Sequence, residues 1–168
     1  MASFSAYGLG LLAALMLAAW WRSRRGEAVM MARALAAPLC VTSAFVGSAV
    51  LKDVVREPRP CQVLPVGTTL EACPAPGDWS LPSNHTVIVF AGAAVLWLVD
   101  RRLGGIAVLL AVAMAVSRVV VGVHYPHDVT AGAVVGAAAG YGLGLLSGRG
   151  GAVVARHRHG RLQWWLSA

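Results

Sequence analysis

The 168-residue chain has few charged residues and almost no lysine. Charged side chains make up 12% of the sequence and hydrophobic ones 58%, and the mean hydropathy is +0.68. This balance is too apolar for an ordinary soluble domain and favours a polytopic membrane protein. Linkers, low-complexity stretches and internal repeats are also missing from the sequence, so we predict one domain over residues 1–168.

Five apolar segments follow one another along the chain. They are Phe4–Trp21, Ala28–Leu51, Thr86–Val99, Leu103–Val121 and Val129–Leu146. A membrane-spanning helix needs roughly 17–25 largely apolar residues, so the third segment is short unless it begins near Ser83. The first lacks the preceding basic stretch of a signal peptide and is interpreted as a retained helix. We therefore predict an all-α bundle of about five transmembrane helices.

Arginine accounts for 13 of the 14 basic residues and gives the chain a net charge of +7. Most arginines lie between the first two apolar segments, between the third and fourth, or in a basic tail, residues 149–168. With five spans these regions fall on one side of the membrane, which the positive-inside rule makes cytoplasmic. We expect contacts with anionic lipid headgroups and no nucleic-acid binding. The tail, with Trp164 and Trp165, is interpreted as an inner-leaflet anchor.

Three polar clusters interrupt the apolar sequence: Lys52–Pro60, Pro82–His85 and Ser117–Asp128. With the N-terminus outside and the C-terminus inside, all three lie at the extracytoplasmic face, and the loop after the second helix carries part of them. Their cations, histidines, serines and carboxylate are the groups needed to bind a phosphate, attack it and protonate its leaving group.

The first two clusters each have a functional and a purely structural interpretation. Lys52, Arg56 and Arg59 would share one face of a continuous helix, although a basic rim snorkelling to the membrane surface has the same pattern. Ser83 is expected to be the N-cap of the third helix, with His85 in its first turn. A helix N-terminus suits phosphate, but a capped helix with an interfacial histidine fits equally well.

The third cluster places an arginine and a histidine–carboxylate pair near one another. Arg118 is costly in an apolar helix and should face a polar cavity. The spacing of His124 and Asp128 lets the carboxylate hold one imidazole nitrogen while the other attacks. His127 is interpreted as a surface neighbour. A metal site made of His85, His124, His127 and Asp128 is an alternative, but the nearby arginines disfavour it because they would repel a dication.

Cysteine is scarce, with three residues in the chain. Cys61 and Cys73 flank the extracytoplasmic loop, whereas Cys40 falls inside the second apolar segment. A disulfide between the first two fits an oxidising compartment and would contribute about 3 kcal/mol; two free thiols are the alternative. The loop has no second Cys or His pair to support a zinc site.

Together the clusters resemble the type 2 phosphatidic acid phosphatase (PAP2) superfamily, whose pattern is K-x6-R-P, P-S-G-H and S-R-x5-H-x3-D. The match covers residues 52–128. The resemblance implies that His124 is a nucleophile forming a phosphohistidine, that Asp128 orients it and that His85 is the general acid. It implies no metal or cofactor, and a set of phosphate-binding residues: Lys52, Arg59, Ser83, Asn84 and Arg118.

The chain departs from the family pattern in two ways. Asn84 replaces the usual glycine, and because asparagine keeps the backbone N–H and tolerates positive φ, we expect activity to survive. Family members commonly have six spans, whereas five are predicted here. A homodimer that covers the thinner N-terminal side of the bundle is a hypothesis that follows from this difference.

The resemblance also implies a class of substrate. A site at the outer membrane face suits a lipid phosphate, and the favoured candidate is a polyprenyl (undecaprenyl or decaprenyl) diphosphate in a bacterial cell membrane. Phosphatidylglycerol phosphate, phosphatidic acid and a phosphorylated prenyl-sugar lipid are alternatives. A protein that binds or transports lipid phosphates without hydrolysis is the non-enzymatic alternative. Soluble vanadium haloperoxidases share the motifs, but their chains are large and do not span membranes.

Overall fold

The computed structural model describes residues 2–63 and 69–158, and within these ranges its regular structure is entirely helical. The helices are α1 (Ala2–Ser23), α2 (Ala28–Val55), α3 (Pro60–Val63), α4 (Asn84–Val99), α5 (Arg101–Val120), α6 (Pro126–Ser147) and α7 (Gly151–Arg158), with a 3₁₀ turn at Gly148–Gly150. Five of them are long and form a bundle. The predicted all-α bundle of about five apolar helices is therefore confirmed.

Three helical segments of the described chain are long and apolar enough to cross a membrane: Ala28–Val63, Arg101–Val120 and Pro126–His157. Helix α4 is shorter, with 16 residues, which rise about 24 Å against a hydrocarbon core of about 30 Å. It begins at Asn84, two residues before the apolar segment that the sequence predicts. Its first turn is thus polar, and it can carry site residues.

Helix α4 occupies the centre of the bundle, where it packs against α6, α5 and α2 and also contacts α1. Its inward-facing side chains, including Val87, Val89 and Val95, are fully buried. The N-termini of α4 and α6 and the C-termini of α2 and α5 meet at one end of the bundle, which we call the polar end. The opposite end, with the α1–α2 and α4–α5 connections, is called the basic end.

Helix α6 packs on α4 through a glycine at every fourth position: Gly132, Gly136, Gly140 and Gly144. A Cβ atom at Gly136 would collide with the backbone of Val87. Small residues at this spacing let two helix backbones approach closely. At the polar end, a Cβ at Gly132 would lie 2.9 Å from the carbonyl oxygen of Ser83. The stripe therefore fixes the start of α4 against the start of α6.

The α2–α4 loop runs from residue 56 to residue 83, and its described parts, 56–63 and 69–83, lie at the polar end. Helix α2 ends at Val55, because Arg56 adopts a left-handed backbone conformation with φ 54°. The prediction that Lys52, Arg56 and Arg59 share a helix face is therefore wrong. Arg56 is exposed and donates to the Asp53 carbonyl over 2.9 Å, whereas Lys52 and Arg59 are buried.

A disulfide joins Cys61 and Cys73 within this loop, with their Cα atoms 5.8 Å apart. Cys40 is a buried free thiol. Residues 64–68, inside the disulfide-closed segment, lie outside the described residues, as do residues 159–168 of the basic tail. The predicted inner-leaflet anchor with Trp164 and Trp165 thus falls on undescribed residues.

Candidate active site

The polar end brings all three polar clusters together. Each cluster sits at the end of a different helix: the first follows α2, the second begins α4, and the third links α5 to α6. Asn84 and His85 are half-buried. The other predicted site residues are no more than 5% exposed: Lys52, Arg59, Ser83, Arg118, His124 and Asp128. So many buried polar side chains define a site shielded from solvent.

His124 and Asp128 form a hydrogen-bonded pair across the start of α6. His124 lies in the α5–α6 loop, and its Nδ1 is 3.2 Å from Asp128 Oδ2. The same oxygen accepts the Tyr125 backbone N–H over 2.7 Å. Pro126 is the first residue of α6. With Nδ1–H donating to the carboxylate, Nε2 of His124 retains its lone pair.

Ser80 completes this pair and was missed by the sequence reasoning. Its hydroxyl donates a short hydrogen bond to Asp128 Oδ2 and lies 3.3 Å from His124 Nδ1. The side chain is fully buried, and its backbone N–H donates to the Glu57 carbonyl over 2.8 Å. Ser80 lies three residues before Ser83 and outside the three polar clusters, so none of their spacings selects it.

Arg59 faces the free nitrogen of His124. Its Nη1 is 3.0 Å from His124 Nε2 and donates to the Val123 carbonyl over 3.1 Å. Its Nε donates to the Asp78 carbonyl over 2.8 Å. Because a guanidinium stays protonated, Nε2 is the acceptor in this contact. A positive charge therefore lies where the imidazole lone pair points.

Lys52 joins Arg59 through the carboxylate of Asp78. Lys52 Nζ donates to the Trp79 carbonyl over 2.6 Å and lies 3.4 Å from Asp78 Oδ1. The same oxygen is 2.9 Å from Arg59 Nη2. Burial opposes the ionisation of Asp78, but the hydrogen bond and charge of Arg59, aided by Lys52, outweigh it and lower the pKa of this carboxyl group. Asp78 is thus an ionised counter-charge, and the sequence analysis did not select it.

Arg118 has a carboxylate partner of its own. Its Nη1 donates to Glu71 Oε2 over 3.2 Å, and its Nε lies 3.3 Å from Ser117 Oγ. Among the described residues, the buried Nη2 of Arg118 and Oγ of Ser83 have no hydrogen-bond partner. Ser83 occupies the N-cap position of α4, but its side chain makes no capping bond. The expected cap is therefore replaced by an unpaired hydroxyl at the polar end.

Asn84 and His85 begin α4. The side chain of Asn84 turns toward α2, where its Oδ1 accepts the Ser48 hydroxyl over 2.7 Å. Its contribution to an anion would therefore come from the backbone N–H, one of the donors that a helix start leaves unpaired. His85 lies in the first turn, where the positive charge of Arg118 acts on it.

The imidazole of His124 is kept neutral by its surroundings. Burial lowers its pKa below the ordinary value of 6.5; the hydrogen bond to Asp128 opposes this, and the charges of Arg59 and Lys52 reinforce it, leaving the pKa lowered. A neutral imidazole has a lone pair available for attack, which a protonated one lacks.

His127 lies outside this arrangement, as a surface residue. Its side chain is exposed and its Nε2 is 2.8 Å from Glu57 Oε1. In the described part of the chain, Glu57, His127 and Asp128 form one group whose potential ligand atoms lie within 4.8 Å of one another. Two of its members, His127 and Asp128, belong to the metal site considered as an alternative in the sequence analysis. The close contact of His127 with Glu57 accounts for the cluster.

Comparisons with known proteins point to one family. A family model described as the PAP2 superfamily matches residues 33–149. An undecaprenyl-diphosphatase of Sulfolobus acidocaldarius is 39% identical over 94 residues, which cover 55% of this chain and 45% of that protein. A decaprenylphosphoryl-5-phosphoribose phosphatase of Mycobacterium tuberculosis is 36% identical over 101 residues, covering 58% and 53%. The bacitracin transport permease protein BcrC of Bacillus licheniformis is 42% identical over 59 residues, covering 35% and 29%.

The chain thus spans about half the length, or less, of the curated relatives it matches. Its fold resembles the crystal structure of a transmembrane PAP2 type phosphatidylglycerolphosphate phosphatase from Bacillus subtilis, with a TM-score of 0.60 and 20% identity over 86% of this chain and 73% of that one. At this identity the likeness concerns the fold. The family match covers most of the chain and includes all three polar clusters, so the protein belongs to the PAP2 superfamily.

Proposed function

We propose that the protein is an integral-membrane lipid phosphatase that acts through a phosphohistidine on His124. The observation that carries this proposal is the orientation of the imidazole: Nδ1 is bound to Asp128 and Nε2 points to the Arg59 guanidinium. A nucleophile oriented by a carboxylate and aimed at a buried positive charge fits attack on an anionic phosphorus centre.

In the first step, the Nε2 lone pair of His124 attacks phosphorus, and the bond from phosphorus to the leaving oxygen breaks. His85 donates a proton to that oxygen, and the lipid leaves with one phosphoryl group fewer. Asp128 stabilises the positive charge that develops on the imidazole, while Ser80 and the Tyr125 N–H hold the carboxylate in place.

In the second step, water attacks the phosphohistidine and His85, now neutral, takes up the water proton. The nitrogen–phosphorus bond breaks, inorganic phosphate leaves, and His124 regains its lone pair. Negative charge on the phosphoryl oxygens is stabilised in both steps by Lys52, Arg59 and Arg118, with hydrogen bonds from Ser83 and the Asn84 backbone. These basic side chains supply the charge stabilisation, so the proposed reaction uses no metal or cofactor.

The proposed substrate is a polyprenyl diphosphate, converted to the monophosphate. Support comes from the two similar proteins named as phosphatases of undecaprenyl and decaprenyl lipids. Phosphatidylglycerol phosphate and phosphatidic acid are the next candidates. We further propose a bacterial cell membrane as the location, with the polar end facing outward, because the arginines at the basic end fit the positive-inside rule. A homodimer is proposed on the thinner N-terminal side, and cross-linking in native membranes tests it.

The test is phosphate release by the purified protein in detergent with EDTA. Polyprenyl diphosphate, phosphatidylglycerol phosphate and phosphatidic acid are compared as substrates. His124→Ala should lower kcat at least about 10⁴-fold, because the group that forms the covalent bond is removed. His127→Ala, at an exposed histidine three residues away, is the matched control and should retain turnover.

The non-enzymatic alternative predicts a different pattern. A protein that only binds or transports lipid phosphates needs its cations but has no use for His124 as a nucleophile. No release of phosphate from any of the three lipids by the wild-type protein, or release that survives His124→Ala, would contradict the phosphohistidine mechanism.

A further inference from the structure

Each buried cation of the candidate site is already paired with a carboxylate from residues 69–83. Asp78 pairs with Lys52 and Arg59, and Glu71 pairs with Arg118. Neither carboxylate belongs to the three motifs of the family pattern. Both therefore compete with a phosphate for the same cations, and this competition can determine which anions the site accepts.

The carboxylates are much more exposed than the cations that they neutralise. The side chain of Asp78 is 50% exposed against 6% for both Lys52 and Arg59, and that of Glu71 is 21% exposed against 3% for Arg118. A buried unpaired charge is costly, so the cations need a negative partner at all times. These partly exposed carboxylates can turn toward water once another anion takes their place.

Lys52 and Arg59 do not depend on the Asp78 carboxylate alone for their positions. Lys52 donates to the Trp79 carbonyl over 2.6 Å. Arg59 donates to the carbonyls of Asp78 and Val123 over 2.8 and 3.1 Å. Since backbone carbonyls remain in an Asp78→Asn variant, the carboxylate can be removed while the two cations keep these hydrogen bonds.

An anion that enters the site must replace the carboxylates, so its charge decides how well it competes. A phosphate ester with a terminal phosphate carries about −1.5 to −2 at neutral pH, whereas the phosphodiester headgroup of a bulk phospholipid has one acidic oxygen and a single negative charge. The two carboxylates together carry two negative charges. A terminal phosphate that displaces both restores nearly all of that charge to the cations, whereas a phosphodiester restores half of it.

We propose that Asp78 and Glu71 are counter-ions that make the site selective for terminal phosphate groups over the phosphodiester headgroups of surrounding phospholipids. This inference rests on the proposed function, because it concerns the same site. It assigns a specificity role to two residues of the α2–α4 loop, and it explains how a basic site can stay unblocked in a membrane rich in anionic phosphodiesters.

The experiment measures binding without turnover. Wild-type protein and the variants Asp78→Asn and Glu71→Gln are unfolded thermally in detergent micelles, with increasing inorganic phosphate or increasing phosphatidylglycerol as the added anion. The measurements are made at about pH 8, above the second ionisation of a phosphate ester. Asp53→Asn, which removes an exposed carboxylate next to Lys52 in the sequence, is the matched control.

For the wild-type protein and Asp53→Asn we expect protection by phosphate and little by phosphatidylglycerol. In Asp78→Asn, the ratio of the phosphatidylglycerol to the phosphate dissociation constant should fall about three- to tenfold, the range expected for loss of a partly exposed ion pair. Glu71→Gln should lower it by a similar or smaller factor. The kcat at saturating lipid substrate is measured for each variant in parallel.

An unchanged ratio in both variants would overturn the proposal. A fall in kcat with an unchanged ratio would also overturn it, because it would assign the carboxylates to positioning of the cations. Failure of the proposed function has a separate signature: the wild-type protein would release no phosphate from lipids, while the two anion titrations would still report the selectivity.

Discussion

Each end of the bundle has an arginine–aspartate pair of nearly equal length, but the two pairs differ in burial. At the polar end, Arg59 Nη2 is 2.9 Å from Asp78 Oδ1, with the arginine side chain 6% exposed. At the basic end, Arg22 Nε is 2.8 Å from Asp100 Oδ2, with the arginine side chain 58% exposed. Burial, and not distance, separates an ion pair that contributes little from one whose cation requires a counter-charge.

The two aspartates also differ in their other hydrogen bonds. Asp100 is the N-cap of α5, and its Oδ1 accepts the backbone N–H groups of Arg102 and Leu103 over 2.9 and 3.1 Å. The carboxylate of Asp100 is therefore held by the backbone at the start of α5. Asp78 caps no helix among the described elements, so its carboxylate can be exchanged for another anion. The same two residue types thus serve helix geometry at one end and ligand exchange at the other.

The largest difference between the two ends should appear when the arginine of each pair is removed. Arg59→Ala should lower kcat about 10²- to 10³-fold, because a preorganised positive group that stabilises the phosphoryl oxygens is lost. Arg22→Ala should change kcat less than about twofold, since an exposed ion pair contributes little. Steady-state phosphate release from the preferred lipid measures both. Equal losses in the two variants would mean that the burial of Arg59 has no catalytic meaning.

A smaller effect is expected for a serine at each end of the bundle. Ser80→Ala should lower kcat about tenfold, because Asp128 Oδ2 loses a buried hydrogen bond and orients His124 less well. Ser147, near the basic end of α6, donates to the Gly144 carbonyl over 2.9 Å, and Ser147→Ala should leave kcat unchanged.

If Ser80 acts by positioning Asp128, two further results are expected. The KM for lipid should stay close to the wild-type value, since no phosphate contact is removed, and Ser80→Thr, which keeps the hydroxyl, should recover part of the rate. A rise in KM with normal kcat would assign Ser80 to substrate binding instead.

The smallest expected effect is a shift in pH dependence that reflects the shielding of the polar end. His124 must be neutral to attack, and burial together with Arg59 and Lys52 lowers its pKa. The rate should therefore persist below the ordinary histidine pKa of about 6.5 and be lost as pH falls through the lowered value. The measurement is kcat/KM against pH, with the substrate phosphate titrated separately by phosphorus NMR. An acid limb of the enzyme at or above 6.5 would contradict the shielding.

Helix positions and the convergence of the motifs were predictable because they depend on local patterns. Apolar runs located α1, α2, α5 and α6 to within a few residues, since long hydrophobic segments leave little choice in a bilayer. Counting the spans then placed the three polar clusters at one end. The spacing of His124 and Asp128 allowed their contact to be predicted, although His124 lies in the loop before α6 and not on the helix.

Contacts made by the α2–α4 loop were not predictable in this way. Asp78 and Glu71 reach their cations through loop conformations that no periodicity describes, and Ser80 reaches Asp128 across 48 positions of sequence. The break of α2 at Arg56 was missed because a left-handed residue other than glycine has little sequence signal. The sequence does hold one clue: four of the seven acidic residues lie at positions 53–78, two of them within the first cluster and two, Glu71 and Asp78, between the first and second clusters.

The glycine stripe on α6 has a consequence for protein engineering. Its α4-facing side admits no side chain at Gly136, where a Cβ atom would enter the backbone of Val87, so that face offers no room for variation. Val134 and Tyr141 on the same helix are exposed by 65% and 49%. Spectroscopic labels or libraries of variants aimed at lipid preference belong on that outer face, where a new side chain meets the surroundings of the bundle and leaves the alignment of α4 and α6 intact.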